Sequence, residues 1–358
     1  MNIYICIFLV LIFLSLTEIK TKKSSASLFL FILFFFWLLG SFRWNTGTDW
    51  DSYKDYFCTN NSLSNFYFDG YAFETGYIWL NYLVKKISNS YSVFLSICSF
   101  LNIICFYVVA KKLFGKRPIL AVLLFFAIFQ GGIFVTRQLM AISLCFLSTL
   151  FIIKRQKTPF FICIILASFL HVTSLIYIVS YYLYNYKISI KKFLLLAFIT
   201  IILSTLMHEL TKSVISFISN DRVTDKLYIY TSSDIDFGIF DLVKGCIKRL
   251  LTLPLFFYIL NKYPYNKLYS GLLSIYILGT LIYFLFAFAN MNTFVRISVY
   301  FQLLEIPLLY YSYLLHKRKW LICYIYLFGL MKIISFTSGY YDLYVPFYTI
   351  FEDANRVM

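Results

Sequence analysis

The densest polar string in this 358-residue chain is SFRWNTGTDWDSYKDYF, residues 41–57, which follows an apolar run of membrane-spanning character. Within it Arg43 is followed by Gly47, the carboxylates Asp49 and Asp51, and the ring donors Trp44, Trp50 and Tyr53. An arginine at a membrane surface can hold a phosphate through two parallel N–H bonds. The competing reading of the same residues is an interfacial aromatic belt with a headgroup anchor. A second constellation, GGIFVTRQLMAISL at 131–144, places Arg137 and Gln138 at the start of a helix after a Gly-Gly break. Unpaired N–H groups and a partial positive charge at a helix N-terminus favour an anion there, and Arg137 adds to them. The pattern recurs at Arg296, which is expected to open a helix over residues 297–315. Tyr300, four residues on, then shares its face and can orient the guanidinium or a ligand. Two arginines at two such helix starts suit a diphosphate. The rival account is arginines that snorkel to headgroups.

Other groups are sparser. His171 interrupts ILASFLHVTSLIYI and is either a general acid or base or a histidine bonded within the bundle. Glu305 and Lys332 lie within apolar runs, where an interhelical ion pair is the simpler account of charges that are costly in lipid. The pairs Asp49/Asp51 and Asp234/Asp236 and the scattered His208 and His316 do not make a metal site. There is no P-loop, no Gly-x-Gly-x-x-Gly and no Gly-x-Ser-x-Gly, so no nucleotide cofactor is expected.

The elements that position these residues follow from composition. The chain is 61% hydrophobic, 22% aromatic and 13% charged, against roughly 25% charged in soluble domains. With about 20 apolar residues per span, it has room for about 10–12 transmembrane helices. The expected fold is an all-α, polytopic membrane protein with some short or broken helices and outer-face amphipathic helices, for instance over 72–87. Apolar runs fall near 3–17, 26–42, 91–110, 118–135, 138–153, 158–170, 172–186, 193–208, 242–260, 268–289, 297–315 and 320–337. Basic clusters before and after 158–186 require two short helices turning at His171, which are expected to pack inside the bundle.

The formal charge of +16 sorts by side. Lys20, Lys22 and Lys23 follow the first run and would hold that end inside, leaving both ends of the chain on the outer face. The first run lacks a positive leader and a small-residue cleavage site, so a cleaved signal peptide is not expected. Every carboxylate except Glu18 and Glu305 then falls in outward segments or at their edges. The basic excess is explained by the anionic inner leaflet, and no nucleic-acid partner is called for. The expected organisation is one membrane domain over 1–358 with two large outer loops, 43–90 and 209–241. All eight cysteines but Cys58 lie in or beside apolar runs, which excludes a disulfide framework.

With these residues in place the chain resembles the EpsG-like group of Wzy-type polysaccharide polymerases. The resemblance rests on Arg43 followed by Gly47, Thr48, Asp49, Trp50 and Tyr53; on Glu74-x-Gly76-Tyr77; on Arg137-Gln138 before a small-residue helix; and on Phe-Leu-His171-x-x-Ser174. Weaker echoes are Lys226, Leu227 and Tyr230, and Arg296 with Tyr300. It implies an enzyme of the bacterial cytoplasmic membrane that joins undecaprenyl-diphosphate-linked repeat units at the outer face, in O-antigen or related surface polysaccharide synthesis, with the bilayer and a chain-length regulator as partners. Arg43, Arg137, Gln138 and Arg296 would hold the diphosphate, Tyr53, Tyr230 and Tyr300 the sugars, and Asp49, Glu74 or His171 would be the base. The alternatives are a flippase of lipid-linked oligosaccharide or another outer-face glycosyltransferase or ligase. A flippase predicts charges gathered at the midplane.

Overall fold

The structure is a computed structural model that describes residues 2–68, 73–217, 239–339 and 341–353, with side chains except those of 208–217, 239–241, 292, 293 and 353. The described residues form an all-α, polytopic membrane protein whose only β pairing is a single bridge between Arg43 and Thr349. Five helices are long and apolar enough to cross a bilayer: Ile3–Thr21, Tyr91–Leu113, 190–207, Lys267–Phe288 and Lys319–Gly339. Shorter apolar helices stand among them, as the basic flanks require. The backbone divides into two compact units, residues 1–178 with 317–358, and residues 179–316.

The first unit contains α1 (Ile3–Thr21), α2 (Ala26–Phe42), α3 (Trp50–Thr59), α4 (Leu63–Phe68), α5 (Thr75–Ile87), α6 (Tyr91–Leu113), α7 (Pro118–Phe129), α8 (Arg137–Ile153) and α9 (Lys157–Leu170), then a 3-10 segment Val172–Ile178 and, later in the chain, Lys319–Gly339. The expected first loop is therefore largely helical, its middle made of α3, α4 and α5. α1 leaves Leu9, Val10 and Phe13 exposed, and α2 leaves Leu30, Phe31 and Phe34 exposed. On a helix of spanning length such as α1, a face of large exposed apolar side chains suits the hydrocarbon of a bilayer. α7, with 12 residues, is too short to span, and every residue but Ile128 is buried, against α1, α2 and Lys319–Gly339.

α9 departs from expectation. Its buried stripe, Phe160, Cys163, Ile164 and Ala167, has helical spacing and packs on α8, but Ile162, Ile165, Leu166 and Phe169 are exposed. It is not enclosed by the bundle. One side of a 14-residue helix meets its neighbour, and the other suits lipid, with Lys154, Arg155 and Lys157 able to snorkel at its start.

Alternation of direction sends the end of α2, the starts of α6 and α8 and the end of α9 to one end of this unit, together with α3–α5. The basic turns at residues 20–23, 111–117 and 154–157 lie at the other.

The second unit contains Val179–Leu183, Ile190–Phe217, Ile239–Lys262, Lys267–Phe288 and a broken run from Asn292 to His316. Helices Ile190–Phe217 and Ile239–Lys262 take up both ends of the expected second loop. Its middle, 218–238, with Lys226, Tyr230, Asp234 and Asp236, lies outside the described residues, as does the His208 side chain. The single helix expected over 297–315 is four pieces: Asn292–Val295, a 3-10 turn Arg296–Ser298, Val299–Gln302 and Glu305–His316. Pro307 has no N–H to return to the Leu303 carbonyl, which Ile306 takes instead at 3.1 Å, tightening the chain there.

Candidate active site at one end of the first unit

Arg43, expected at the surface, is 2% exposed. Its Nη1 donates to the Thr46 carbonyl at 2.6 Å and its Nη2 to that of Val135 at 3.4 Å, and its guanidinium lies over the rings of Trp50, at 4.9 Å, and Phe134, at 5.4 Å. The loop closes over it because Gly47 has φ +107°, and a Cβ there would stand 2.7 Å from Nη1. Residues 343–349 then lie along the loop. Trp44 N–H donates to Tyr348 O at 3.0 Å, Gly47 N–H to Leu343 O at 2.7 Å, and Tyr348 N–H to Thr46 Oγ1 at 3.1 Å. Burial draws the Arg43 pKa below the ordinary arginine value, against the pull of Tyr91, Tyr344 and Tyr4. Arg43 thus organises the loop from beneath. What the loop presents is Asp49, exposed, at φ 58°, in the N-cap position of α3 with no capping bond from its side chain.

One turn along α3, Tyr53 reaches the second arginine. Arg137 is the first residue of α8, whose start is fixed by Thr136: its Oγ1 accepts the Leu139 N–H at 3.1 Å. The Tyr53 hydroxyl is 3.5 Å from Arg137 Nε, a long contact. The guanidinium is framed by three rings, Phe73 at 4.2 Å, Tyr77 at 5.7 Å and Tyr53 at 5.9 Å, a cation–π arrangement. Glu74 supplies the counter-charge. Its Oε2 pairs with Arg137 Nη1, and its Oε1 accepts the Val172 N–H at 3.2 Å.

The motif around Glu74 explains this reach. Gly76 lies so close to α9 that a Cβ would stand 2.6 Å from Phe169 Cβ and 2.7 Å from Phe169 O. Only glycine lets α5 lie there, and that approach brings Glu74 to the backbone just past His171. Tyr77, beside Gly76, is 2% exposed. Burial raises its pKa well above the ordinary phenol value, so it stays a neutral wall of the site.

His171 caps α9, donating its N–H to Ala167 O at 2.9 Å, and its Nδ1 lies 2.7 Å from Thr173 Oγ1. Ser174, of the same motif, is fully buried, and its hydroxyl has no hydrogen-bond partner among the described residues. The structure therefore gathers Tyr53, Glu74, Arg137 and the His171–Val172 backbone in one place, with Gln138 next to Arg137 on the first turn of α8. Asp49 stands on the adjoining helix start.

Arg296 does not open a helix. Asn292–Val295 precedes it, and it begins a three-residue 3-10 turn in the second unit. Nor does Tyr300 share its face: Arg296 is exposed and Tyr300 is 1% exposed. The change from 3-10 to α winding between them removes the four-residue register on which that expectation rested.

Sequence reasoning missed two residues. Phe73, whose ring is nearest to Arg137, was signalled only by being aromatic next to Glu74. Arg249, 6% exposed within Ile239–Lys262, donates to Gly245 O at 3.0 Å and Ser298 Oγ at 3.3 Å and stacks on Tyr283 at 3.4 Å. Nearby in the same unit, Tyr276 donates to Glu305 Oε1 at 2.7 Å. Arg249 follows Lys248 and Lys244 at the start of the apolar stretch of 250–260, so its sequence signal is only a basic group at the edge of an apolar run.

Compared with known proteins, residues 26–349 match the family model described as the EpsG family. Among curated proteins and among solved structures nothing matches the chain.

Proposed function

The chain belongs to the EpsG family, and from that premise we propose that it joins polyprenyl-diphosphate-linked oligosaccharide repeat units at the outer face of the bacterial cytoplasmic membrane. Membership itself points to a role of the polysaccharide-polymerase type in a multi-pass membrane protein. The observation that supports the finer reading is the Arg137 site: a cation fixed by three rings and one carboxylate, at the helix-end face opposite the basic turns.

In the reaction the acceptor hydroxyl oxygen forms a bond to the anomeric carbon of the donor sugar. The bond from that carbon to the diphosphate oxygen breaks, and the diphosphate leaves with the electron pair. The hydroxyl proton passes to a base. Arg137 stabilises the charge that grows on the diphosphate, and the start of α8 adds its partial positive charge. Asp49, Glu74 and His171 are the groups that can take the proton. Tyr53 and Phe73 offer ring faces on which a sugar can stack, and the bilayer holds the lipid carrier. No nucleotide is needed, since cleavage of the bond between the donor sugar and its diphosphate drives the transfer.

Arg137→Ala is expected to lower turnover by about 10²- to 10³-fold, as loss of one charge-stabilising donor does. In cells the long polymer disappears while single repeat units still reach their final acceptor. Full polymer length and amount at normal expression would overturn the reading.

Transport of a lipid-linked oligosaccharide is favoured by one observation, the buried Arg249 in mid-helix with Glu305 in the same unit. The same cells decide: loss of a transporter removes single units from the surface as well.

A further inference from the structure

Glu74 holds its two carboxylate oxygens against two donors from different elements. Oε2 pairs with Arg137 at the start of α8, and Oε1 accepts the N–H of Val172, the first residue after His171. A guanidinium and a backbone amide side by side are the donors that hold phosphate oxygens elsewhere. Carboxylate and phosphate present to them the same pair of neighbouring anionic oxygens.

Nothing in the surroundings makes the carboxylate a permanent occupant. Glu74 and Arg137 are each 19% exposed, and Val172 is exposed. Glu74 occupies the N-cap position of α5 but makes no capping bond, so the helix loses no cap when the side chain swings away. Arg137 keeps its place without it, framed by Phe73, Tyr77 and Tyr53.

We propose that Glu74 is a resident stand-in for the ligand. The anion site consists of the Arg137 guanidinium and the Val172 N–H, and a phosphate group of the substrate enters it by displacing the Glu74 carboxylate. A diphosphate brings more negative charge to the same donors than one carboxylate does, so the exchange runs toward the ligand. The assignment adds a backbone amide to the site and gives Glu74 a place in binding, and it rests on the reading of the substrate as a diphosphate.

The test uses the full chain in lipid nanodiscs, titrated calorimetrically with inorganic pyrophosphate and with farnesyl diphosphate. Glu74→Gln keeps the shape of the side chain and removes its charge. It is expected to bind both probes about 1.5- to 5-fold more tightly, the scale of a partly exposed ion pair that no longer competes. Glu74→Asp, too short to span both donors, should shift affinity in the same direction and serves if the glutamine variant fails to fold. A purely structural ion pair predicts equal or weaker binding in both variants, and that result overturns the proposal. Arg137→Ala separates the two levels. If it weakens binding at least about tenfold while the Glu74 variants do not tighten it, the stand-in is wrong and the diphosphate reading survives. If it leaves binding unchanged, both fall.

Discussion

A methyl group on Gly76 would stand 2.6 Å from Phe169 Cβ and 2.7 Å from the Phe169 carbonyl oxygen, and backbone does not yield as a flexible side chain would. Gly76→Ala should therefore push α5 off α9, part Glu74 from Val172 and cost about 1 to 3 kcal/mol. A lowered thermal midpoint in detergent, together with loss of polymer, checks this; an unchanged midpoint would mean that the approach is looser than described. Arg137→Lys keeps the charge but loses the planar guanidinium that lies against Phe73, and turnover should fall by at least about tenfold, measured as polymer formed per unit of protein. At this scale Arg137, Glu74 and His171 were legible because an arginine, a Glu-x-Gly-Tyr motif and a histidine stand out from an apolar background. Arg43 was misread. Trp50 and Phe134 flank it and the loop at Gly47 closes over it, and that loop is tied down by residues 343–349, about three hundred positions away, a support that no local pattern announces.

Whole helices were the most legible elements, since runs such as 26–42 and 91–110 coincide closely with α2 and α6. The run over 297–315 was not, because apolar content persists through a 3-10 turn as it does through an α-helix. The informative residues there are Pro307, which withholds a donor, and Ser298, which Arg249 reaches from another helix at 3.3 Å. Arg249→Leu leaves Glu305 buried without that cation in its unit, and breaking a buried charge arrangement costs about 3 to 5 kcal/mol. Arg249→Leu combined with Glu305→Gln should recover part of the loss. Thermal midpoints of the two single variants and the double variant in detergent read the coupling. Strict additivity would show that the two charges do not interact.

At the scale of the molecule, the basic turns of the first unit at one end and the candidate site at the other predict a fixed orientation. A membrane-impermeant maleimide should label the exposed Cys58 in intact spheroplasts. Lys116→Cys, in a chain with Cys58→Ser, should react only after the membrane is opened. The reverse pattern would place the site in the cytoplasm and end the outer-face reading. The segment that follows the final long helix gives the molecule one more property. Tyr4 donates its hydroxyl to Tyr344 O at 2.9 Å, and residues 343–349 line the loop over Arg43, so the opening and closing stretches of the described chain meet at the platform that presents Asp49. That platform is incomplete until residue 349 has been synthesised and brought across. A half-inserted chain, with most of its helices already in the bilayer, therefore has no finished site with which to misuse the lipid-linked precursors around it.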